Sequence, residues 1–595
     1  MKLTEIHSLF RSPEFSALSR HFADFMQKLS GSDDPGFFLA CGLVNHRAEQ
    51  GDVCLNLVDY ADKSVLRAQE SPSNNSRAPS LESWVETLRH ITVIGVPGER
   101  KPLILDTDSD APRLYLLRYW QYEQRLADFI HQNRQLSPPR LDMPLLEEGI
   151  RRLFPKARSH PDQQATAARA ALQNRFCVIT GGPGTGKTTT VLKIIILLLE
   201  QAADHPISLA IAAPTGKAAN RLGESIRSSR TEADQQGLTT EKVLSQIPEE
   251  TYTIHRLLGS IRHSPRFRHD RSNPLPYDCI IVDEVSMVDM ALMSKLIESL
   301  RPDTRLILLG DKNQLSSVES GSVLGDICDV PENSAHHNII NLEKSYRFNE
   351  QSGIGRLSHL INNGLARESM KMLHQPPSTD ISWQQTPRPG DVRPSLEEAL
   401  LETYRHWFNA PTTESVFSMV SRFGVICALR SGPYGAIAIN HLIELLLIEK
   451  KLIPKNREWY IGRPVMVTRN HHQLELYNGD VGIVLPDNED NDRPKVFFDR
   501  GENVYRKISP ARMPEHETAY AMTIHKSQGS EFDRVLIILP NQDAPILSRE
   551  LIYTAITRAR ESVDIWSNDD IFLKSVNRQT ERSSGLKSAL YENLA

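Results

Sequence analysis

The stretch TGGPGTGKTTT, residues 180–190, decides the class of fold. It spells GxxxxGK[ST], with Gly181, Gly186, Lys187 and Thr188 at the required spacing. Gly182, Pro183, Gly184 and Thr185 fill the loop, and Thr189 follows it. An apolar strand, Cys177–Thr180, leads in, and an apolar helical run, VLKIIILLLE, leads out. Strand, glycine-rich turn and helix in that order are the setting of a phosphate-binding loop. The glycines let backbone N–H groups converge on an anion at a helix amino terminus, where the dipole favours negative charge. Lys187 adds a point charge between the outer phosphates, and Thr188 a hydroxyl for Mg²⁺.

Working outward, short apolar runs alternate with helical stretches from about residue 146 to 350. Candidate strands are Cys177–Thr180, Ser208–Ala213, Cys279–Asp283 and Arg305–Gly310, the pattern of a parallel sheet with crossover helices. IIVDEVSM (280–287) is an apolar run that ends in two acids. Adjacent carboxylates at a buried strand end are costly unless metal or water meets them. Asp283 is therefore expected to hold Mg²⁺ and Glu284 to polarise the attacking water. LGDKNQLSSVESG (309–321) follows the next strand and places Gln314 on the same rim, where ligands of open α/β sheets bind. Its amide can donate to a phosphate oxygen and accept from water, so it is expected to sense the γ-phosphate.

The chain has 595 residues, too many for one core. Residues 1–145 read as a mixed, helix-rich unit without chemistry, including a buried helix in LYLLRYWQYEQRLADFIHQ (114–132) and a polar loop at 67–80. A surface helical insertion is expected at 228–250 and a proline-rich linker at 374–395. A second alternating unit occupies 351–595. At about 452–516 its rhythm breaks into short strands, which suggests a small inserted β-barrel. The tail beyond about 572 is polar and is expected to be peripheral. Hydrophobic content of 39% and charged content of 24% are those of a globular domain protein. Six scattered cysteines without a CxxC pair argue against zinc, an iron–sulfur cluster or a disulfide framework. No apolar run is long enough to span a bilayer. The net charge of −5 argues against a nonspecific nucleic-acid coater, but a local groove of donors suffices for a single strand.

Several stretches now add up in order: DQQA (162–165), the phosphate loop, APTGKAA (213–219), TIHRLLG (253–259), VDEVSM, GDKNQLSSVESG, LEKSYRF (342–348), TIHKSQGSEFD (523–533) and YTAITRAR (553–560). The series resembles the ordered motifs of superfamily-one helicases, and within them the RecD family, α subunits of RecBCD-type exonuclease V complexes. The resemblance implies an α/β architecture of two RecA-like motor domains with parallel sheets, an inserted SH3-like β-barrel and a helix-rich N-terminal domain that docks partners. It implies hydrolysis of ATP with Mg²⁺, with metal at Thr188 and Asp283. Gln164 is the implied adenine contact and Glu531 the ribose contact. Arg347 and Arg558 are the implied arginines that reach ATP from the second motor domain.

The resemblance also implies a 5′→3′ single-strand DNA translocase acting from duplex ends. Thr215, Lys217, His255, Thr523, His525 and Lys526 would contact the strand. Implied partners are RecB-like and RecC-like subunits in a heterotrimer, in a bacterial cytoplasm, with the nuclease site on a partner chain. Two other readings stay open on sequence grounds. One is a stand-alone RecD-like helicase, and the other a P-loop ATPase that remodels protein without translocating on DNA.

Overall fold

The computed structural model describes residues 3–65, 77–108, 111–155, 162–202, 206–329, 338–348, 352–501 and 504–592. Most of the loop expected at 67–80 lies outside the described residues.

The first motor sheet has six parallel strands. In space they run Ile339–Leu342, Phe176–Gly181, Arg305–Gly310, Cys279–Val282, Leu209–Ala213, Tyr252–Thr253. Its central strands are apolar throughout because both faces are covered. Cys177 and Ile179 point to one face, with Val191 to Leu199 of the helix Lys187–Ala202. Phe176 and Val178 point to the other, with Met290, Met293 and Leu296. The register pairs Thr180 with Gly310 and Val282 with Leu308, so three carboxyl ends finish on one rim. The expected insertion at 228–250 is continuous with the helix Gly216–Gln235, and Ala233, Leu244 and Ile247 from it are buried in the first core.

The second motor sheet has five parallel strands, in the order Ile381–Gln384, Ala559–Trp566, Phe532–Ile538, Phe423–Cys427, Ala521–Thr523. Its edge strand comes from the segment read as a linker. Only Ile381 and Trp383 alternate into the core there, too few in a proline-rich stretch to signal a strand.

The expected barrel is a five-stranded antiparallel sheet spanning Pro464 to Thr518. Its outer strands, Tyr505–Ile508 and His516–Thr518, pair with no strand beyond their inner neighbours among the described residues, so the sheet is open. Val484, Val496 and Phe498 build a core of their own on one face. Ile483, Leu485 and Phe497 on the other face pack onto the second motor domain. That second layer does the work that closure would do in a barrel.

The N-terminal region mixes helices with a four-stranded sheet. The helix Pro35–Glu49, apolar nearly all round, is wrapped by neighbouring helices and a four-stranded sheet. The stretch expected as helix from 114 starts as strand Arg113–Leu116 and becomes the helix Leu117–Gln135. That helix contributes Leu126, Ala127 and Ile130 to the lower face of the first motor sheet.

The tail is not peripheral. Leu586 and Leu590 of the helix Leu586–Glu592 are fully buried in the same face. Two leucines four residues apart make one helical stripe, hidden in the sequence by the polar residues before them. Leu586→Ala is expected to destabilise the first motor domain by about 2–4 kcal/mol. Urea or thermal unfolding of the full chain checks this, and a change below about 1 kcal/mol would show the helix to be loosely attached.

Candidate nucleotide and DNA sites

The phosphate loop bridges strand Phe176–Gly181 and helix Lys187–Ala202. Gly184 and Gly186 have φ of +75° and +78°, a region that favours glycine. Space demands glycine as well. A Cβ at Gly184 would lie 2.3 Å from Arg347 Cβ, and one at Gly186 2.2 Å from Gln164 Nε2. The loop is thus held between the two side chains. Gln164 Nε2 donates to Thr185 O at 3.0 Å, while Asp162 caps its helix by accepting from Gln164 N at 2.9 Å. From the other side Tyr346 N donates to Gly184 O at 2.7 Å and Ser345 Oγ to Pro183 O at 3.2 Å. Lys187 Nζ folds back to donate to Gly181 O at 2.6 Å and Gly182 O at 3.0 Å. Thr188 is half-buried and Thr189 exposed at the start of the helix.

Across the rim stand Asp283 and Glu284. Asp283 is 9% exposed. Burial raises its pKa, Glu284 raises it further, and Lys187 works against both. Glu284 adopts φ +54°, unusual for a side chain with a Cβ, and its N–H donates to Asp283 Oδ1 at 2.8 Å. Gln314 is buried, and its Nε2 donates to Asp311 Oδ2 at 3.1 Å. The same oxygen accepts from Tyr553 Oη of the second motor domain at 2.9 Å. Asp311 and Tyr553 both sit in the motif stretches, yet neither stands out there as functional. An acid next to a glutamine reads as loop polarity until its burial is known.

Three arginines converge on Glu531. Arg347 Nη2 donates to Glu531 Oε1 at 2.6 Å, Arg560 Nε donates to Oε2 at 3.1 Å, and Arg221 of the first motor domain pairs with the same carboxylate. Burial alone would raise the pKa of Glu531, but the Arg221 and Arg347 guanidiniums outweigh it and hold the carboxyl well below its ordinary range. Here Glu531 is a shared counter-ion, and Arg221 and Arg560 are residues the sequence reading missed. Arg347 Nη1 is buried without a hydrogen-bond partner among the described residues. Arg558 is almost fully buried, its Nε and Nη1 donating to Thr554 O and Ser530 O at 3.1 and 3.2 Å. Burial lowers its pKa, and Glu284 and Glu531 restore part of the loss.

Between the motor domains lies a cavity of about 900 Å³. Thr215, Lys217, Thr523, His525 and Lys526 line it. Thr215 Oγ1 caps its helix by accepting from Ala218 N at 3.2 Å. Lys217 donates to Ser530 Oγ. Burial pushes its pKa down to about 8, with Asp480 of the inserted sheet pulling upward. Lys526 Nζ donates to Glu517 Oε1 at 2.6 Å. Burial, and then Arg582, lower the pKa of His525. His255 does not join this wall. Its ring packs edge-on to Phe267 at 5.7 Å.

Comparisons with known proteins place the chain among relatives. Residues 13–115 match the family described as RecBCD enzyme subunit RecD, N-terminal domain. Residues 164–320 match an AAA domain, and residues 518–565 a UvrD-like helicase C-terminal domain. The RecBCD enzyme subunit RecD of Haemophilus influenzae is 33% identical, with 93% of each chain covered. That of Mycolicibacterium smegmatis is 35% identical over 96% of both chains. The ATP-dependent RecD2 DNA helicase of Deinococcus radiodurans is 31% identical over 76% of this chain but only 54% of its own length. Among solved structures, Bacteroides Pif1 bound to ssDNA covers 71% of this chain at 18% identity and a TM-score of 0.37. Identity above 30% across nearly the whole length of the first two relatives settles the family: the chain belongs to the RecD subunits of the RecBCD enzyme.

Proposed function

We propose that the chain is an ATP-hydrolysing DNA helicase that translocates along single-stranded DNA 5′→3′ as the RecD-type subunit of a RecBCD-like helicase–nuclease. One observation carries the reading. Side chains of both motor domains meet at the phosphate loop, and the cavity that holds the strand-contacting residues opens between the same two domains. A change at the nucleotide therefore moves the walls of the strand path.

Roles follow from position. Lys187 neutralises the outer phosphates once its carbonyl contacts are exchanged for phosphate oxygens. Glu284 orients the attacking water, and Gln314, steadied by Asp311, contacts the γ-phosphate. Arg347 and Arg558 stabilise charge that spreads over the transferred phosphoryl group. The γ-phosphate competes with Glu531 for Arg347, so ATP loosens one ion pair while tightening the cleft. Thr188 and Asp283 fit Mg²⁺, since a half-buried hydroxyl and a buried carboxylate with one backbone donor leave oxygen lone pairs free for a hard cation and its waters. Bound there, the ion neutralises charge on the β- and γ-phosphates. Threonines and lysines of the cavity hold backbone phosphate without reading sequence, as stepping along any strand requires.

Relatives named RecBCD enzyme subunits support partners of the RecB and RecC kinds, with the nuclease site on a partner. The match supports the subunit over the stand-alone helicase, since the former is similar over 93% of this chain and the latter over 76%. No helix among the described residues is long and apolar enough to cross a membrane. A bacterial cytoplasmic location fits DNA end processing.

Steady-state ATPase with and without a single-stranded oligonucleotide tests the motor. The strand is expected to stimulate turnover, and an unstimulated rate would point to a protein-remodelling ATPase. Lys187→Gln is expected to abolish ATPase with an unchanged circular dichroism spectrum. Arg558→Ala is expected to lower stimulated kcat by about 10³, and a loss below about tenfold would remove it from the site.

Asp283 makes a separate prediction. Its folded pKa is raised above the ordinary 3.8, so the folded state holds the extra proton and stability falls as pH rises through that window. Asp283→Asn is therefore expected to abolish ATPase yet raise the Tm at pH 8. The gain should shrink as pH approaches 4, read by thermal scans at both values.

A further inference from the structure

Beyond the helix Asp569–Asn577 the chain leaves the second motor domain. Gln579, Thr580 and Glu581 are exposed, and the next residues drop onto the first motor domain and the N-terminal region. Ser583 N donates to Asp52 Oδ1 at 2.6 Å, and Ser583 O accepts from Val53 N at 2.9 Å. Ser584 Oγ and Gly585 N both donate to the buried carboxylate of Glu123 at 2.9 Å. Leu586 and Leu590 then bury completely. Every residue from 583 to 586 is thus anchored, and Arg582 is fixed at the front of the strap.

Arg582 grips one loop. Its Nη1 donates to Glu319 O at 2.6 Å and Gly321 O at 2.9 Å, and its Nη2 to Ser317 O at 2.5 Å. That loop is the continuation of Asp311 and Gln314. Leu315 ties it to the second motor domain, donating from N to Thr554 Oγ1 at 3.0 Å and accepting at O from Gln528 Nε2 at 3.2 Å. Val318 is 76% exposed and, with Ser317, borders the strand cavity, as do Thr580 and Arg582. At its far end Gly321 N donates to Gly51 O at 2.9 Å. Within the loop Ser317 Oγ donates to Glu319 O at 2.9 Å, while Ser320 Oγ donates to Ala48 O at 3.1 Å and Ser320 O accepts from Met290 N at 3.0 Å. Arg582 adds one guanidinium that joins the carbonyls of Ser317, Glu319 and Gly321. A planar fork can serve three acceptors in fixed directions, which a single ammonium cannot.

We propose that Arg582 is a positioning residue of the motor: it stiffens the Ser317–Gly321 loop so that a strand pressing on Ser317 and Val318 in the cavity shifts Gln314 and Asp311 at the nucleotide. The inference rests on the motor reading above and adds the route by which DNA raises the ATPase rate. Its energy lies in a packed two-ended segment, the kind of connection through which coupling between sites is carried.

The test is steady-state ATPase of the full chain against oligo-dT concentration, for the wild type, Arg582→Ala and Arg582→Lys. Arg582→Ala is expected to cut the ratio of stimulated to basal rate by about tenfold at saturating oligonucleotide. The half-saturating oligonucleotide concentration should stay within about twofold. Arg582→Lys, which keeps the charge but not the fork, should lose about threefold. An undiminished ratio in Arg582→Ala overturns the proposal. So does a raised half-saturating concentration with full stimulation at saturation, since Arg582 would then be a DNA contact. Should Arg582→Ala not fold in a thermal scan, Arg582→Lys decides by the same two criteria. A wild type that DNA does not stimulate removes the motor reading itself, whereas a stimulated wild type with an equally stimulated variant removes only this inference.

Discussion

Three carboxylates, Asp283, Glu284 and Asp311, are driven onto one rim by the register of a parallel sheet whose strands are buried on both faces. Such crowding of like charge in a dry place is unfavourable, and the ammonium of Lys187 is what makes it tolerable. Every other feature of the site answers to that arrangement. The phosphate loop must be glycine-rich because Gln164 and Arg347 close on it from either side. Gln314 must sit on Asp311 because a buried acid needs donors, and Tyr553 supplies the second one from the opposite domain.

The second motor domain is attached through charge as much as through packing. Glu531 gathers Arg221, Arg347 and Arg560, one from the first domain and two from segments beyond it. Buried ion pairs of this sort add little net stability, but removing one member leaves the rest uncompensated. The network suits a cleft that must open and close, because each guanidinium can trade a carboxylate for a phosphate at small net change. Arg347, with one buried nitrogen unpaired among the described residues, is already short of an acceptor.

Features that depend on local spacing were legible in the sequence. The phosphate loop, the apolar central strands and the two acids at Asp283 and Glu284 each announce themselves within a dozen residues. Features that depend on distant contacts were not. Ile381 and Trp383 form an edge strand only because Val563 and Ile565 lie beside them. Asp311 and Tyr553 meet across 242 positions, so neither stretch alone hints at the other. The open inserted sheet looks like a barrel in sequence because the alternation of a strand does not say what covers its second face. His255 stands in a separate motif, TIHRLLG, and nothing in that stretch shows that its ring packs against Phe267.

The strap joins Ser583 to Asp52 across 531 positions and Ser588 to Arg113 across 475. Synthesis on the ribosome gives this a consequence. The lower face of the first motor sheet, although encoded early, stays incompletely covered until Leu586 and Leu590 have been made, after the whole second lobe. The nascent protein must therefore carry a sticky half-finished lobe through most of translation, a window in which chaperones or an early-arriving assembly partner would shield it.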